Sequence, residues 1–209
     1  MAYKRSPLME ERLAGARGRI LLAARELVAG GGYRSASVTA VAAQAGVSTG
    51  LIYRHFPSKA ELFVEVLHAA VEREAGILEA IAAGQASASE RLAEAISTFV
   101  HRALAGPGLA HAFIAEPVDP EVEAERIRGR RRFGAVFQGL VVQGMAEGVF
   151  PAQDADVTAA CIVGAFTEAL VGPTAPSRTA AGDGEALAQA ISAVCLRAAG
   201  AAVPPSATG

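Results

Sequence analysis

Apolar residues spaced three or four positions apart, in segments separated by glycine and proline, are the pattern that most limits the fold of this chain. In the first such segment, residues 10–29, the stripe consists of Leu13, Ala16, Ile20, Ala24 and Leu27. This spacing places the stripe along one face of an α-helix. Gly30, Gly31 and Gly32 follow it and are expected to end the helix. Since no segment shows the alternation of a strand, the sequence predicts an all-α fold.

The remaining boundaries predict about nine helices in total. Ser37 is a good N-cap for a short second helix, which Gly46 ends, and Ser48 caps an equally short third helix that stops near Pro57. A longer helix is predicted from Lys59 to about residue 83. The later helices are expected to begin near Ser87, Leu109, Asp119, Asp154 and Glu185.

Composition excludes several classes of protein. Hydrophobic residues make up 52% of the 209-residue chain, so it is not disordered and has enough apolar material for one domain or two small ones. Charged residues or glycine interrupt the longest apolar runs before 18 residues, which argues against a membrane span. The N-terminus lacks the apolar region of a signal peptide, so a cytoplasmic protein is expected.

The two cysteines, Cys161 and Cys195, both lie in apolar, alanine-rich segments. They could form one disulfide, but we expect buried thiols of a reduced cytosol. Neither has a second Cys or His at ligand spacing, so no metal and no cofactor are predicted.

Charge is divided unevenly along the chain. Residues 1–60 contain nine Lys and Arg but three Glu, a net charge of +6, whereas the remainder carries −8. A basic head on an acidic body indicates a polyanionic partner at one end. An excess of solvated arginines is the alternative.

The segment "AGVSTGLIYRHFPSKAEL", residues 45–62, has the helix–glycine turn–short helix pattern of a helix-turn-helix. Ile52 and Phe56 supply a buried side for the short helix. On a helical wheel the side chains that point away from this anchor are Thr49, Gly50, Tyr53 and Arg54. A helix that is anchored on one side and bare on the other can enter the DNA major groove, although short helical hairpins also occur in other all-α proteins.

A longer segment, "GYRSASVTAVAAQAGVSTGLIYRHFPSKAELF" at residues 32–63, resembles the DNA-binding segment of the TetR/AcrR family of bacterial transcriptional regulators. The resemblance implies base contacts from the second and third helices and phosphate contacts around them. The predicted DNA-binding residues are Ser37, Thr39, Ser48, Thr49, Gly50, Leu51, Tyr53, Arg54, His55 and Lys59.

The segment departs from the family pattern at its base-reading positions. Many relatives have Lys or Arg where Thr39 or Thr49 stands here, so strong bidentate recognition of guanine is absent at both. Leu51 replaces a common hydroxyl and either contacts a thymine methyl or packs. We therefore hypothesise that specificity depends on Arg54, on an N-terminal arm at residues 4–5, and on DNA shape.

The resemblance also implies a three-part organisation. Residues 1–58 form the DNA-binding head, residues 59–200 a helical body that binds an effector and dimerises, and residues 201–209 a flexible tail. Effector contacts are predicted at Phe99, His101, Phe113, Phe133 and Phe137, and dimer contacts at Ala160, Gly164 and Ala165. The alternatives are that the phenylalanines are ordinary core and that the small residues reflect an alanine-rich composition.

The arginine run from Arg126 to Arg132 is expected to be a solvated helix face rather than an anion site. No catalytic constellation appears, and the four histidines lack metal-type spacing, so an enzyme is not expected. We predict a homodimeric repressor that a small apolar effector releases from double-stranded operator DNA. The rival is a helical small-molecule-binding protein without DNA function.

Overall fold

The computed structural model describes residues 7–176 and 183–201, and within these ranges the chain forms nine helices and no strand. The helices are α1 (Pro7–Ser35), α2 (Val38–Ala45), α3 (Thr49–His55), α4 (Lys59–Ala82), α5 (Ala88–Ala105), α6 (Pro107–Ile114), α7 (Pro120–Ala146), α8 (Ala155–Thr174) and α9 (Gly184–Ala198). The predicted all-α class is confirmed. The proposed arm at residues 4–5 and most of the predicted tail, residues 202–209, lie outside the described residues.

The end of α1 differs from the prediction. Helical structure continues through Gly30 and Gly31 and breaks at Gly32, which has φ 77° and ψ 174°. A further turn runs to Ser35. Only one of the three glycines therefore adopts a conformation that disfavours other residues.

Helices α1, α2 and α3 pack into a small head around apolar side chains from each of them. Ile20, Val41 and Ile52 are fully buried, and Phe56 is almost so. Arg17 of α1 packs against this core, with its guanidinium carbon 5.2 Å from the Phe56 ring centroid. Its Nη2 also pairs with Glu65 of α4 at 2.8 Å.

The body is built from α4 to α9, with α4 against α7, α5 against α9, and α7 against α8. Phe137 and Phe166 are fully buried between α7 and α8, with ring centroids 5.6 Å apart. At Gly129, an added Cβ would lie 2.8 Å from Val71, so the α4–α7 crossing depends on a glycine. The hydrophobic core is continuous from Ile20 to Ala199 and crosses the predicted boundary at residue 58.

Head and body meet where α6 packs against α1. Gly108, at the start of α6, lies directly against the carbonyl of Ala29, and a Cβ there would overlap that oxygen. The close backbone approach fixes the position of α6 relative to the end of α1.

Helix α8 has one buried and one exposed face. Ile162 and Phe166 are buried, whereas Val157 and Cys161 are exposed. The prediction of a buried thiol is therefore wrong for Cys161, because the helical period places it on the outer face. It holds for Cys195, whose burial raises the pKa of the thiol to about 11. Helix α8 is long enough and apolar enough to cross a membrane, judged by length and composition alone. Core helices of soluble proteins meet the same two criteria.

We predict that Gly32→Ala destabilises the protein whereas Gly30→Ala does not. An alanine at position 32 would have to keep φ 77° and ψ 174°, a region essentially confined to glycine, at a cost of roughly 1–3 kcal/mol, and its Cβ would lie 2.6 Å from the Glu116 carboxylate. Gly30 has no atom within 4 Å of an added Cβ, so alanine there should be neutral or stabilising. Urea unfolding measures both, and equal free energies of unfolding would contradict the prediction.

Candidate DNA interface and effector cavity

The turn between α2 and α3 is set by one glycine and one serine. Gly46 adopts a left-handed conformation with φ 65°, and the Val47 amide donates to the Ala42 carbonyl at 3.0 Å. The Ser48 hydroxyl then accepts from the Leu51 amide at 3.2 Å and caps α3. Ser37 caps α2 in the same way by accepting from Ala40 at 3.1 Å. Both hydroxyls keep a proton to donate, as the predicted phosphate contacts require.

Helix α3 is anchored on one side only. Ile52 and Phe56 are buried, whereas Thr49, Gly50 and Arg54 are exposed. Tyr53 has 52% of its surface exposed, an unusual position for a large aromatic residue. Thr39 of α2 is also exposed, and Leu51 is half-buried. The face predicted to read DNA is thus bare in the free protein.

Nothing in the described part of the protein requires glycine at position 50. An added Cβ would meet only the Ser48 hydroxyl oxygen, at 3.9 Å, and φ is not positive. Glycine costs roughly 1 kcal/mol relative to alanine inside a helix. This cost makes sense if a surface outside the chain approaches the backbone closely.

Lys59 lies in an unexpected environment. Its ammonium group donates to the Tyr33 carbonyl at 3.0 Å and sits 4.3 Å from the centroid of the Tyr33 ring. In the free protein this lysine connects the start of α4 to the end of α1. The predicted phosphate contact would have to share the ammonium group with Tyr33.

His55, at the end of α3, is half-buried, and its Nε2 is buried without a hydrogen-bond partner in the described part of the chain. Desolvation lowers the pKa of its imidazole, and the positive charges of Arg17 and Arg54 lower it further. At neutral pH the ring is therefore uncharged in the free protein, and a phosphate contact from it would use an N–H rather than a cation.

Tyr33 is a connecting residue that sequence reasoning missed. Its amide donates to the Glu116 carboxylate at 2.7 Å, and its hydroxyl donates to Asp119. Burial is the main cause of a raised Tyr33 pKa, and Asp119 adds to it. Phe63 of α4 packs edge-on against the ring at 4.9 Å. Tyr33 therefore contacts the head, α4 and the start of α7 together, and no local spacing indicates such a long-range contact.

A cavity of about 360 Å³ is lined by residues of α1, α4, α5, α6 and α7 and by Thr167 of α8. Three of the predicted effector residues, Phe99, Phe113 and Phe133, line it, and Leu67 and Leu109 complete much of its apolar wall. This volume falls within the roughly 300–1,000 Å³ of small-molecule sites.

Two predicted effector residues lie elsewhere. Phe137 faces the core between α7 and α8, one helical turn beyond Phe133, and is fully buried against Phe166. His101 is exposed, and its imidazole pairs with Ser97 at 3.3 Å and with Glu185 of α9 at 3.1 Å. Neither lines the cavity, so an effector bound there would not contact them.

The expectation of a solvated arginine run is wrong for Arg126. This residue is 7% exposed, lines the cavity, and donates to the carbonyls of Ala112 and Glu116. Arg130, one turn further along α7, also lines the cavity. The helical spacing of Arg126, Gly129, Arg130 and Phe133 was the signal that could have placed these arginines at the cavity.

The predicted dimer residues lie on the outer side of α8. Ala160 and Gly164 are exposed, and Ala165 is half-buried. Val157, 58% exposed, lies on the same face, and α9 contributes Val194, which is 48% exposed. Together these residues form an apolar surface on two adjacent helices.

Two family models match this chain. The model for bacterial regulatory proteins of the tetR family matches residues 20–66, and the model for the tetracyclin repressor-like C-terminal domain matches residues 85–170. The chain belongs to the TetR/AcrR family of bacterial transcriptional regulators. The family is regulatory and binds DNA through the helix-turn-helix that α2 and α3 form here.

Among curated TetR-family relatives, the transcriptional activator FasR of Mycolicibacterium smegmatis is 43% identical over 56 residues, 27% of this chain and 26% of that protein. The transcriptional repressor KstR of Rhodococcus jostii is 46% identical over 57 residues, 27% of each protein. The similarity thus spans about a quarter of either relative.

The whole fold resembles that of solved TetR-family structures. FadR of Bacillus subtilis, in complex with stearoyl-CoA, superposes with a TM-score of 0.75 and 22% identity, over 87% of this chain and 98% of FadR.

We predict that the His55 imidazole titrates below its ordinary pKa of about 6.5 in the free protein and that operator binding raises its pKa. A nearby phosphate would stabilise the protonated ring and oppose the effects of burial and of Arg17 and Arg54. NMR titration of the ring protons, with and without DNA, measures both values. An unchanged pKa on DNA would show that His55 lies away from the phosphates.

Proposed function

We propose that this protein is a homodimeric repressor that a small, mainly apolar effector releases from double-stranded operator DNA. The exposed face of α3 carries the proposal: Tyr53 and Arg54 project from a short helix whose opposite side is buried in the head. The rival, a binding protein without DNA function, leaves this face unexplained. The proposed DNA contacts are the ten predicted residues, with Lys59 released from or shared with Tyr33.

The cavity is positioned to transmit effector binding to the head. Its lining includes Arg25 of α1 and Leu67 of α4, as well as Gly106 and Leu109 at the start of α6. Helix α6 in turn meets α1 through the backbone contact at Gly108. A ligand that shifts α6 or α4 would therefore move α1 and α3, and a coupling of about 1–3 kcal/mol is enough for a switch.

Dimerisation through α8 and α9 completes the proposal. The apolar face at Val157, Ala160, Gly164 and Val194 is exposed in the single chain, and its small residues allow two helix pairs to approach closely. A symmetric dimer would hold two α3 helices about 34–36 Å apart, one turn of DNA. Such a protein would act in the cytoplasm, where its DNA lies.

The direction of regulation and the effector class draw on the relatives. One curated relative is a repressor and one an activator, so repression rests on the effector-release mechanism proposed here. The FadR complex with stearoyl-CoA supports an effector with a large apolar part.

We predict that the protein shifts DNA from upstream of its own gene and that Arg54→Ala raises the dissociation constant for that operator about tenfold, as the loss of a base contact would. Binding should weaken steeply with added salt, because phosphate contacts release counterions. Fluorescence anisotropy on operator and unrelated DNA measures both effects.

Arg131→Ala is the matched control for this test, because Arg131 is exposed on α7 and its side chain makes no hydrogen bond or ion pair among the described residues. An equal loss of affinity for operator and unrelated DNA in Arg54→Ala would make Arg54 a phosphate contact. No shift at low salt would favour the rival function.

We predict that Ala160→Arg converts the dimer to a monomer, because two guanidinium groups would be buried in a symmetric apolar interface. Ala124→Arg is the control, since Ala124 is equally exposed but lies on α7. Sedimentation equilibrium gives the mass of each variant. A dimeric Ala160→Arg protein would place the interface elsewhere.

A further inference from the structure

The cavity is strongly basic as well as apolar. We propose that the effector carries an anionic group, which the arginines around the cavity bind. This inference rests on the proposed function, in which the cavity holds the effector. It goes further by assigning the ligand a class: an apolar body that ends in a carboxylate or phosphate.

The charges that line the cavity do not cancel. Among the described residues that line it, the arginines are Arg25, Arg73, Arg102, Arg126 and Arg130, and Glu74 is the only acidic residue. Glu74 is occupied, because Nε and Nη2 of Arg102 donate to its two carboxylate oxygens, each at 2.7 Å. The remaining arginines therefore leave the cavity with an excess of positive charge.

Three of these arginines have no partner among the described residues. Arg25, Arg73 and Arg130 are exposed, and their guanidinium groups make no hydrogen bond or ion pair in the part of the chain that the structure describes. They come from α1, α4 and α7 respectively. Since three separate helices contribute them to one cavity, they are not simply the solvated face of a single helix.

Arg126 supplies an independent indication of a missing acceptor. Its Nη1 pairs with Glu123 at 2.9 Å, and its Nη2 donates to the carbonyls of Ala112 and Glu116. Its Nε is buried and has no hydrogen-bond partner among the residues that the structure describes. A buried cationic donor without an acceptor is costly, so such groups are normally satisfied. A ligand oxygen would satisfy it once the Arg126 side chain, which lines the cavity, turns its Nε towards the bound anion.

The start of α6 adds to the positive potential. Gly106 is its N-cap and provides no side-chain cap, and Pro107 occupies the first turn. Ala105, Gly106 and Leu109 line the cavity. The positive end of the α6 dipole therefore lies beside the arginines and favours an anion there.

Much of the remaining lining is apolar and aromatic. Phe99 and Phe133 pack edge-to-face with centroids 5.5 Å apart, and Leu67 and Phe113 extend the apolar surface. A fatty acid and its coenzyme A thioester share the two required features, an apolar chain and an anionic group. Because Arg25 belongs to α1, the anionic group would lie against the DNA-binding head itself.

The test compares three ligands that have the same alkyl chain length: decanoate, decanoyl-CoA and the uncharged decan-1-ol. Isothermal titration calorimetry measures their binding to the full-length wild-type protein, to the double variant Arg73→Gln/Arg130→Gln, and to Arg131→Gln. Position 131 is adjacent to Arg130 on α7 but lies outside the cavity lining, so this variant is the matched control. Operator release by each ligand is measured in parallel.

We expect at least one anionic ligand to bind wild-type protein about tenfold more tightly than decan-1-ol does, as hydrogen bonds to a charged group would provide. The double variant should lose most of this advantage, whereas its affinity for decan-1-ol and the affinities of Arg131→Gln should not change. Preference for decanoate would identify a carboxylate as the anion, and preference for decanoyl-CoA would identify phosphate.

Equal binding of acid and alcohol, or an undiminished preference in the double variant, would overturn the inference, as would failure of all three ligands to bind. These outcomes are separable from failure of the proposed function. If decan-1-ol releases the operator as well as the anionic ligands do, only the anionic class is wrong. If the protein binds no operator, the proposed function fails, whatever calorimetry shows of the charge preference.

Discussion

The arrangement of this protein depends on how the last turn of α1 is held. At Gly32 the chain leaves the helix in a left-handed conformation, and the next two amides, of Tyr33 and Arg34, donate to the Glu116 carboxylate at 2.7 and 3.2 Å. Glu116 follows α6 and therefore belongs to the body. The end of a head helix is thus fixed by a carboxylate from the other half of the molecule, and the buried Tyr33 ring extends the connection to α4 and α7. Head and body are joined because the carboxylates that accept hydrogen bonds from the end of α1 belong to the body.

Lys59 and Arg126 lie on either side of this connection, and each donates to a backbone carbonyl within it. Lys59 donates to the carbonyl of Tyr33, and the amide of Tyr33 donates to the Glu116 carboxylate. Arg126 in turn donates to the backbone carbonyl of Glu116. A chain of hydrogen bonds therefore runs from a residue predicted to contact DNA to a residue that lines the cavity. If DNA phosphate competes with Tyr33 for Lys59, and a ligand competes for Arg126, the two partners act on opposite ends of the same short network. Such a network has the physical form that linkage between two sites requires.

The sequence predicted the elements governed by local rules. The turn at Gly46, the caps at Ser37 and Ser48, and the burial of Ile52 opposite Tyr53 follow from helical spacing and turn chemistry, and all appear in the structure. The family and the all-α class were also accessible, because the motif at residues 32–63 is short and specific. The DNA-contact roles and the boundary at residue 58 stay predictions.

Sequence reasoning was less successful where function depends on contacts between distant segments. A wheel of α7 distinguishes Phe133 from Phe137 only when its neighbours are known: α8 covers Phe137, whereas Phe133 faces the cavity beside α4 and α5. The expectation of a solvated arginine run was wrong at Arg126 for the same reason. A solvated face was the reasonable expectation for five arginines within seven residues, yet Arg126 lies under α6 because Ala112 and Glu116 offer it carbonyl oxygens there. A buried arginine needs several acceptors, and acceptors 10 and 14 residues away along the chain leave no local periodic trace. Helical spacing places Arg126 and Arg130 on one face of α7, but the arginines of α1, α4 and α5 join them around the cavity only in the folded chain.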